Sequence, residues 1–144
     1  MEKKYKLTDE TINVGGKKLC RIEALKDFGD VKKGDKGGFI EDEHNLSHDG
    51  NSWVYDNARV CGDAWVCGDA KIENNSDYIV FKNWWSSGRF FTWTRSNDMW
   101  KVGCFSGTGE ELIKKAYQDS EKSGREYERV VKYIEEIKKE NYEK

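Results

Sequence analysis

Proline is missing from all 144 residues, and histidine occurs only twice. The first absence singles out no class of protein. The second restricts histidine chemistry to His44 and His48, the only imidazoles able to serve as a general base or metal ligand. No apolar run approaches the ~20 residues that cross a bilayer, so no membrane partner is expected. The opening Met-Glu-Lys-Lys-Tyr-Lys lacks the apolar segment of a secretory signal. Cysteine is sparse and scattered. Cys20, Cys61, Cys67 and Cys104 form no C-x-x-C pair, so neither a disulfide framework nor a zinc site follows, and free thiols in a reducing compartment are expected. A net charge of −2 argues against general nucleic-acid binding. Charged residues equal apolar ones at 36% each, which fits a heavily solvated surface around one core or two small ones.

The chain does hold a six-residue repeat. Residues 54–72 read Val-Tyr-Asp-Asn-Ala-Arg, Val-Cys-Gly-Asp-Ala-Trp, Val-Cys-Gly-Asp-Ala-Lys, Ile. Val54, Val60, Val66 and Ile72 share one phase, and Ala58, Ala64 and Ala70 follow the first three at a fixed offset. Neither the period of a strand nor that of a helix requires this; a β-solenoid does, with one short face per hexad. Gly62-Asp63 and Gly68-Asp69 suit the corners, and Asp at a turn explains both carboxylates without a calcium loop. Ile40 and Leu46 extend the phase backwards, with a two-residue bulge around Asp49, Gly50 and Asn51. Six hexads predict about two coils of a left-handed β-helix. So short a stack needs capping segments or partner chains over its open ends. An antiparallel meander with accidental periodicity is the competing reading.

The residues Lys4-Tyr5-Lys6-Leu7, Asp27-Phe28-Gly29-Asp30-Val31-Lys32-Lys33-Gly34, Gly37-Gly38-Phe39-Ile40, Asn45-Leu46-Ser47, Gly50 and Trp53-Val54-Tyr55-Asp56 resemble the N-terminal part of bacterial and phage left-handed β-helix proteins of the YdcK type. The resemblance implies the fold, a phage or prophage setting and hence the cytoplasm of a bacterial host. It implies no established reaction. The region from Tyr78 onward resembles tails of small phage proteins.

Before the repeat, Gly15-Gly16 predicts a hairpin between Thr11–Val14 and Lys17–Ile22. After it, Asn74-Asn75-Ser76-Asp77 has boundary composition, which divides the chain into 1–76 and 77–144. Three strands are expected next, Tyr78–Trp84, Arg89–Arg95 and Met99–Phe105. Two helices follow, opened by capping boxes at Thr108-Gly109-Glu110-Glu111 and Ser123-Gly124-Arg125-Glu126. The first helix should run to about Glu121, with Leu112, Ile113, Ala116 and Tyr117 buried. The second should run from Gly124 nearly to the end. Its stripe of Tyr127, Val130, Ile134 and Ile137 packs either on the chain's own sheet or on another chain as an oligomer interface. The fold class is therefore mixed β and α+β: hairpin, short β-helix, three-stranded antiparallel meander and two C-terminal helices.

The candidate ligand site lies in the meander. Trp84, Trp85, Arg89, Phe91, Trp93, Arg95, Trp100 and Lys101 interleave aromatic and basic side chains. Arg89, Phe91, Trp93 and Arg95 share one strand face, which can stack a planar base and hold phosphates; alternatively the rings form core beneath the helices. Trp84 and Trp85 point opposite ways. The leading expectation is a non-enzymatic counter-defence protein that sequesters a nucleotide-like ligand and self-associates as a dimer or trimer. A protein–protein inhibitor or adaptor acting on a host protein is the alternative. A hexapeptide-repeat acyltransferase is the third reading, with His44 and His48 as its only imidazoles. No cofactor and no metal are called for. Ser106-Gly107-Thr108-Gly109 lacks the lysine of a phosphate loop and serves better as a cap.

Overall fold

The computed structural model describes residues 3–142. Its first two strands, β1 (Tyr5–Val14) and β2 (Lys17–Ala24), pair antiparallel around Gly15 and Gly16. Both glycines have positive φ, +57° and +85°, which a two-residue hairpin needs and side chains resist. The hairpin is longer than its turn signal suggested, with a bulge between Leu7 and Thr11. Strand β3 (Lys36–Ile40) runs antiparallel to β2.

The hexads then form short parallel contacts. Strand β4 is Trp53–Val54, β5 is Arg59–Val60 and β6 is Lys71–Ile72. Ile40 lies opposite Val60, Leu46 opposite Val66, and Val54 opposite Ile72, all parallel, in ladders of one or two residue pairs. The chain thus lies in two layers, an upper one holding Ile40, Leu46 and Val54 and a lower one holding Val60, Val66 and Ile72. All six side chains have zero exposure, and Ala58, Ala64 and Ala70 fill the space between them. Gly62 and Gly68 turn the corners at φ +67° and +66°. At Gly50 a Cβ would sit 2.5 Å from the Gly68 carbonyl oxygen, so the bulge exists where the backbones touch.

Backbone bonds outside the two-residue strands, such as Ser47 N–H to Val66 O and Tyr55 N–H to Ile72 O, join the two layers, and side chains meet further backbone groups above, within and below them. Above, the Tyr5 hydroxyl donates to the Leu46 carbonyl (2.6 Å) and the Lys4 ammonium to that of Ser52 (2.6 Å). Within the stack, the Asn45 amide donates to Ala64 O (2.8 Å). Below, the Trp65 N–H donates to Thr92 Oγ1 (3.0 Å), the Lys71 N–H to Ser96 Oγ (2.8 Å), and the Tyr78 hydroxyl to the Arg59 carbonyl (3.0 Å). The lower cap comes from the C-terminal half. Tyr78 and Val80 also pack against the first core, so close contact crosses the expected boundary at residue 77.

That half is a four-stranded antiparallel meander of β7 (Tyr78–Lys82), β8 (Phe90–Thr94), β9 (Met99–Val102) and β10 (Phe105–Gly107). Three strands were expected. The last one divides because Gly103, at φ +55°, turns the chain back so that Phe105 pairs with Val102. Helices α1 (Gly109–Asp119) and α2 (Glu121–Ile137) follow, α2 continuing as a π-helical turn over Lys138–Tyr142. Thr108 and Glu111 form the expected capping box. The second box does not form. Ser120 caps α2 by accepting from the Ser123 N–H, and Ser123 lies inside the helix. The earlier start is accommodated because α1 ends at Asp119 and the same serine closes it. Gly124 then lets α2 approach α1: a Cβ there would meet the Tyr117 ring at 2.2 Å. Leu112 and Ala116 are buried as expected, whereas Tyr117 is 42% exposed. The chain is thus a mixed α/β protein with an N-terminal hairpin, small sheets, a four-stranded meander and two C-terminal helices.

Replacing Val66 by Asp should lower stability by several kcal/mol, on the order of 3–5, because an unpaired carboxylate enters a closed apolar layer; denaturant melts measure the loss. Lys4 gives a pH test. It has zero exposure, and burial, then nearby Lys26, push its pKa from 10.5 down to about 8. Between those values the unfolded chain binds more protons, so stability should rise with pH. Urea melts at about pH 7.5 and 9.5 should differ by about 1–2 kcal/mol from this group, and Lys4→Met should remove that increment.

Candidate ligand-binding cavity

Strand β8 places alternate side chains on opposite faces of the meander. Phe91 and Trp93 turn toward the helices and are 2% and 0% exposed, and Trp100 on β9 joins them at 1%. Together with Leu112, Ala116, Tyr127, Val131 and Ile134 they make the second core. The expected stacking platform is therefore interior: both faces of these three rings are taken by the protein. The Trp93 indole N–H is satisfied by Asp98 Oδ1 (2.8 Å), whose other oxygen accepts from Lys138 (2.7 Å). Thr92 and Thr94 occupy the opposite face, against the lower layer.

The remaining candidates do not converge. Arg95 pairs with the buried Asp77 carboxylate at 3.1 Å. The Lys101 ammonium sits 4.3 Å over the Trp65 ring. Trp85 packs edge-on against Tyr127 at 4.9 Å, its N–H donating to Ser123 Oγ. Trp84 is 64% exposed beside Lys122. Arg89 is exposed at the other end of β8 from Arg95, roughly 20 Å away at the rise of an extended strand. The expected oligomer seam is also used within the chain. Tyr127 and Ile134 are buried in the second core, and Val130 and Ile137 pack half-buried against it.

Both histidines hold the upper layer. His48 stacks on Tyr5 at 4.2 Å, accepts from the Lys4 N–H at Nδ1 (3.1 Å) and faces Glu43 through Nε2 (2.8 Å). Its accepting nitrogen is thus spent on the backbone. His44 meets the Gly62 carbonyl through Nε2 (2.9 Å) and Asp42 through Nδ1 (3.2 Å). Among the described residues no group of three or more His, Cys, Asp or Glu side chains could hold a metal ion. The N-terminus of α1 is closed by its own cap, with the Thr108 N–H donating to Glu111 at 2.8 Å.

A cavity of about 300 Å³ opens between the β9–β10 turn and α1. Val102, Phe105, Leu112 and Ala116 supply its apolar wall, and Arg89, Lys115, Asp119 and Tyr127 its polar one. Two cations and one carboxylate leave an excess of one positive charge. Neither Arg89 nor Lys115 is held in an ion pair among the described residues. Burial raises the pKa of the Tyr127 hydroxyl, so it stays protonated. Arg89 was foreseen as a site residue; Lys115 and Asp119 were not. They lie four apart along the flank of the Leu112–Ala116 stripe, a visible pattern, but what faces them depends on the unforeseen strand β10.

No protein-family model matches the chain. Over 83 residues it is 39% identical to an Escherichia coli (strain K12) protein named "Uncharacterized acetyltransferase YdcK", an overlap that takes in 51% of this chain and 26% of that protein. The chain therefore spans about a quarter of the length of the relative it matches. No helix among the described residues is long and apolar enough to cross a membrane.

The interior position of Trp93 and the rim position of Arg95 separate two substitutions. Trp93→Ala should cost about 3–5 kcal/mol and Arg95→Ala less, about 1–3 kcal/mol, because it removes the ion pair of the buried Asp77 carboxylate, which still accepts from the Glu73 and Asn74 N–H groups. Thermal melts of the two variants in parallel provide the measurement.

Proposed function

We propose that the chain is a binding protein rather than an enzyme, and that it captures a small nucleotide-like anion in the cavity between the β9–β10 turn and α1. The observation that carries this reading is the pairing of Arg89 and Lys115 with an apolar wall in one concavity. An apolar surface with a few convergent polar groups is the usual form of a small-molecule site. A net excess of one positive charge suits a phosphomonoester or a single carboxylate better than a triphosphate. In this proposal the parallel layers are the two-coil left-handed β-helix expected from the hexads, acting as scaffold. A phage counter-defence role belongs to it through the resemblance of the N-terminal half together with the chemistry of the site.

A second reading, a hexapeptide-repeat acyltransferase, draws on the similarity to the E. coli protein. Against it stands the engagement of His48 at both ring nitrogens, which leaves it no free lone pair for base catalysis, so that reading needs His44, which contacts Gly62 O and Asp42. Calorimetric titration with linear and cyclic nucleotides, beside an acetyl-CoA turnover assay, distinguishes the readings. Saturable nucleotide binding that weakens at least tenfold in Arg89→Ala, with no turnover, is expected. Turnover of acetyl-CoA would establish the second reading. Neither binding nor turnover would favour the protein–protein adaptor.

A further inference from the structure

Behind the cavity wall, next to Tyr127, one buried side chain is short of a hydrogen-bond partner. Asn83 is 7% exposed, and its backbone is fixed on both sides: its N–H donates to Arg89 O (2.8 Å) and its carbonyl accepts from Gly88 N (2.9 Å). Its amide Nδ2 donates to the Tyr127 hydroxyl (3.2 Å). Its Oδ1 is buried with no partner. A buried polar atom left unpaired costs on the order of 1–3 kcal/mol, and such atoms are rare enough to need a reason.

Tyr127 joins Asn83 to the cavity. Its ring is wedged between Trp85 at 4.9 Å and Phe91 at 5.1 Å, so the hydroxyl is held in place. That oxygen accepts from Asn83, and its own proton meets no acceptor among the described residues. Turning the Asn83 amide over would let Tyr127 donate to Oδ1 but would strand Nδ2 instead. Either way the pair is incomplete, and Tyr127 lines the cavity with Arg89 and Lys115.

We infer that Tyr127, held by Asn83, is a specificity-determining residue that donates a hydrogen bond to a carbonyl on the body of the bound anion. The ligand class is then a phosphomonoester carrying a carbonyl-bearing ring, rather than a purely apolar anion. Arg89 and Lys115 hold the charge, Phe105 and Leu112 cover the ring, and Tyr127 distinguishes rings with an acceptor from rings without one. This inference rests on the cavity reading above.

The test compares uridine monophosphate with phenyl phosphate, which shares the phosphomonoester but has no ring carbonyl. Wild-type protein should bind uridine monophosphate more tightly. Tyr127→Phe should weaken that binding roughly three- to tenfold, the weight of one neutral hydrogen bond, and leave phenyl phosphate within about twofold. Arg89→Ala should weaken both. Should Tyr127→Phe fail to fold in a thermal melt, Asn83→Ser carries the test, because the shorter side chain releases the hydroxyl and the preference should again fall. Equal effects of Tyr127→Phe on both ligands, or none on either, would overturn the role of Tyr127 while leaving the cavity in place. If wild type binds neither ligand, the cavity reading fails as well.

Discussion

The molecule depends on how the edges of two very short parallel layers are satisfied. Six apolar side chains with zero exposure provide the inward attraction, but ladders of one or two residue pairs leave upper and lower backbone groups facing outward. Buried peptide groups without partners would offset much of what burial contributes. The hairpin supplies Tyr5 and Lys4 above, and the meander supplies Thr92, Ser96 and Tyr78 below. The position of the C-terminal half follows from this. It is docked by the hydroxyls that complete the lower layer, and its opposite face is then left to receive the helices.

The same constraint explains what the resembling residues have in common. Lys4 and Tyr5 cap carbonyls. Phe28 packs edge-on against Trp53 at 5.2 Å. Gly37 and Gly38 lie where a Cβ would come within 2.5 Å and 2.4 Å of the Val54 and Ala58 carbonyl oxygens. Asn45 bridges the layers, and Gly50 touches Gly68. These are packing and capping positions. Similarity carried by such residues transmits a scaffold.

In the C-terminal half the decisive contact is the approach of α2 to α1 at Gly124. It brings Tyr127 over Phe91 and Trp85, closing the core that consumes Phe91, Trp93 and Trp100. The aromatic wealth of the meander is spent on stability, and the concavity arises beside it, where the β9–β10 turn stands away from α1. Of the aromatic and basic residues singled out in the sequence, Arg89 is at the cavity through its charge, and Tyr127, singled out as an interface residue, lies in its wall.

The hexad phase determined by itself which residues point inward, because a fixed period with a small residue at a fixed offset admits few backbone paths. Gly15-Gly16 determined a hairpin, and Thr108 with Glu111 determined where α1 begins, since both signals are local. The sequence placed the cap of α2 three residues too late: Ser123 and Ser120 offer the same oxygen, and only the close contact between Tyr117 and Gly124 selects the earlier one. It left open whether Phe91 and Trp93 are platform or core, because strand alternation names a shared face without naming what covers it. Tertiary structure decided that by folding the helices onto that face. It also created the cavity, for Arg89 lies just before β8, Lys115 on α1 and Tyr127 on α2, and they line one concavity only after Gly103 has reversed the chain.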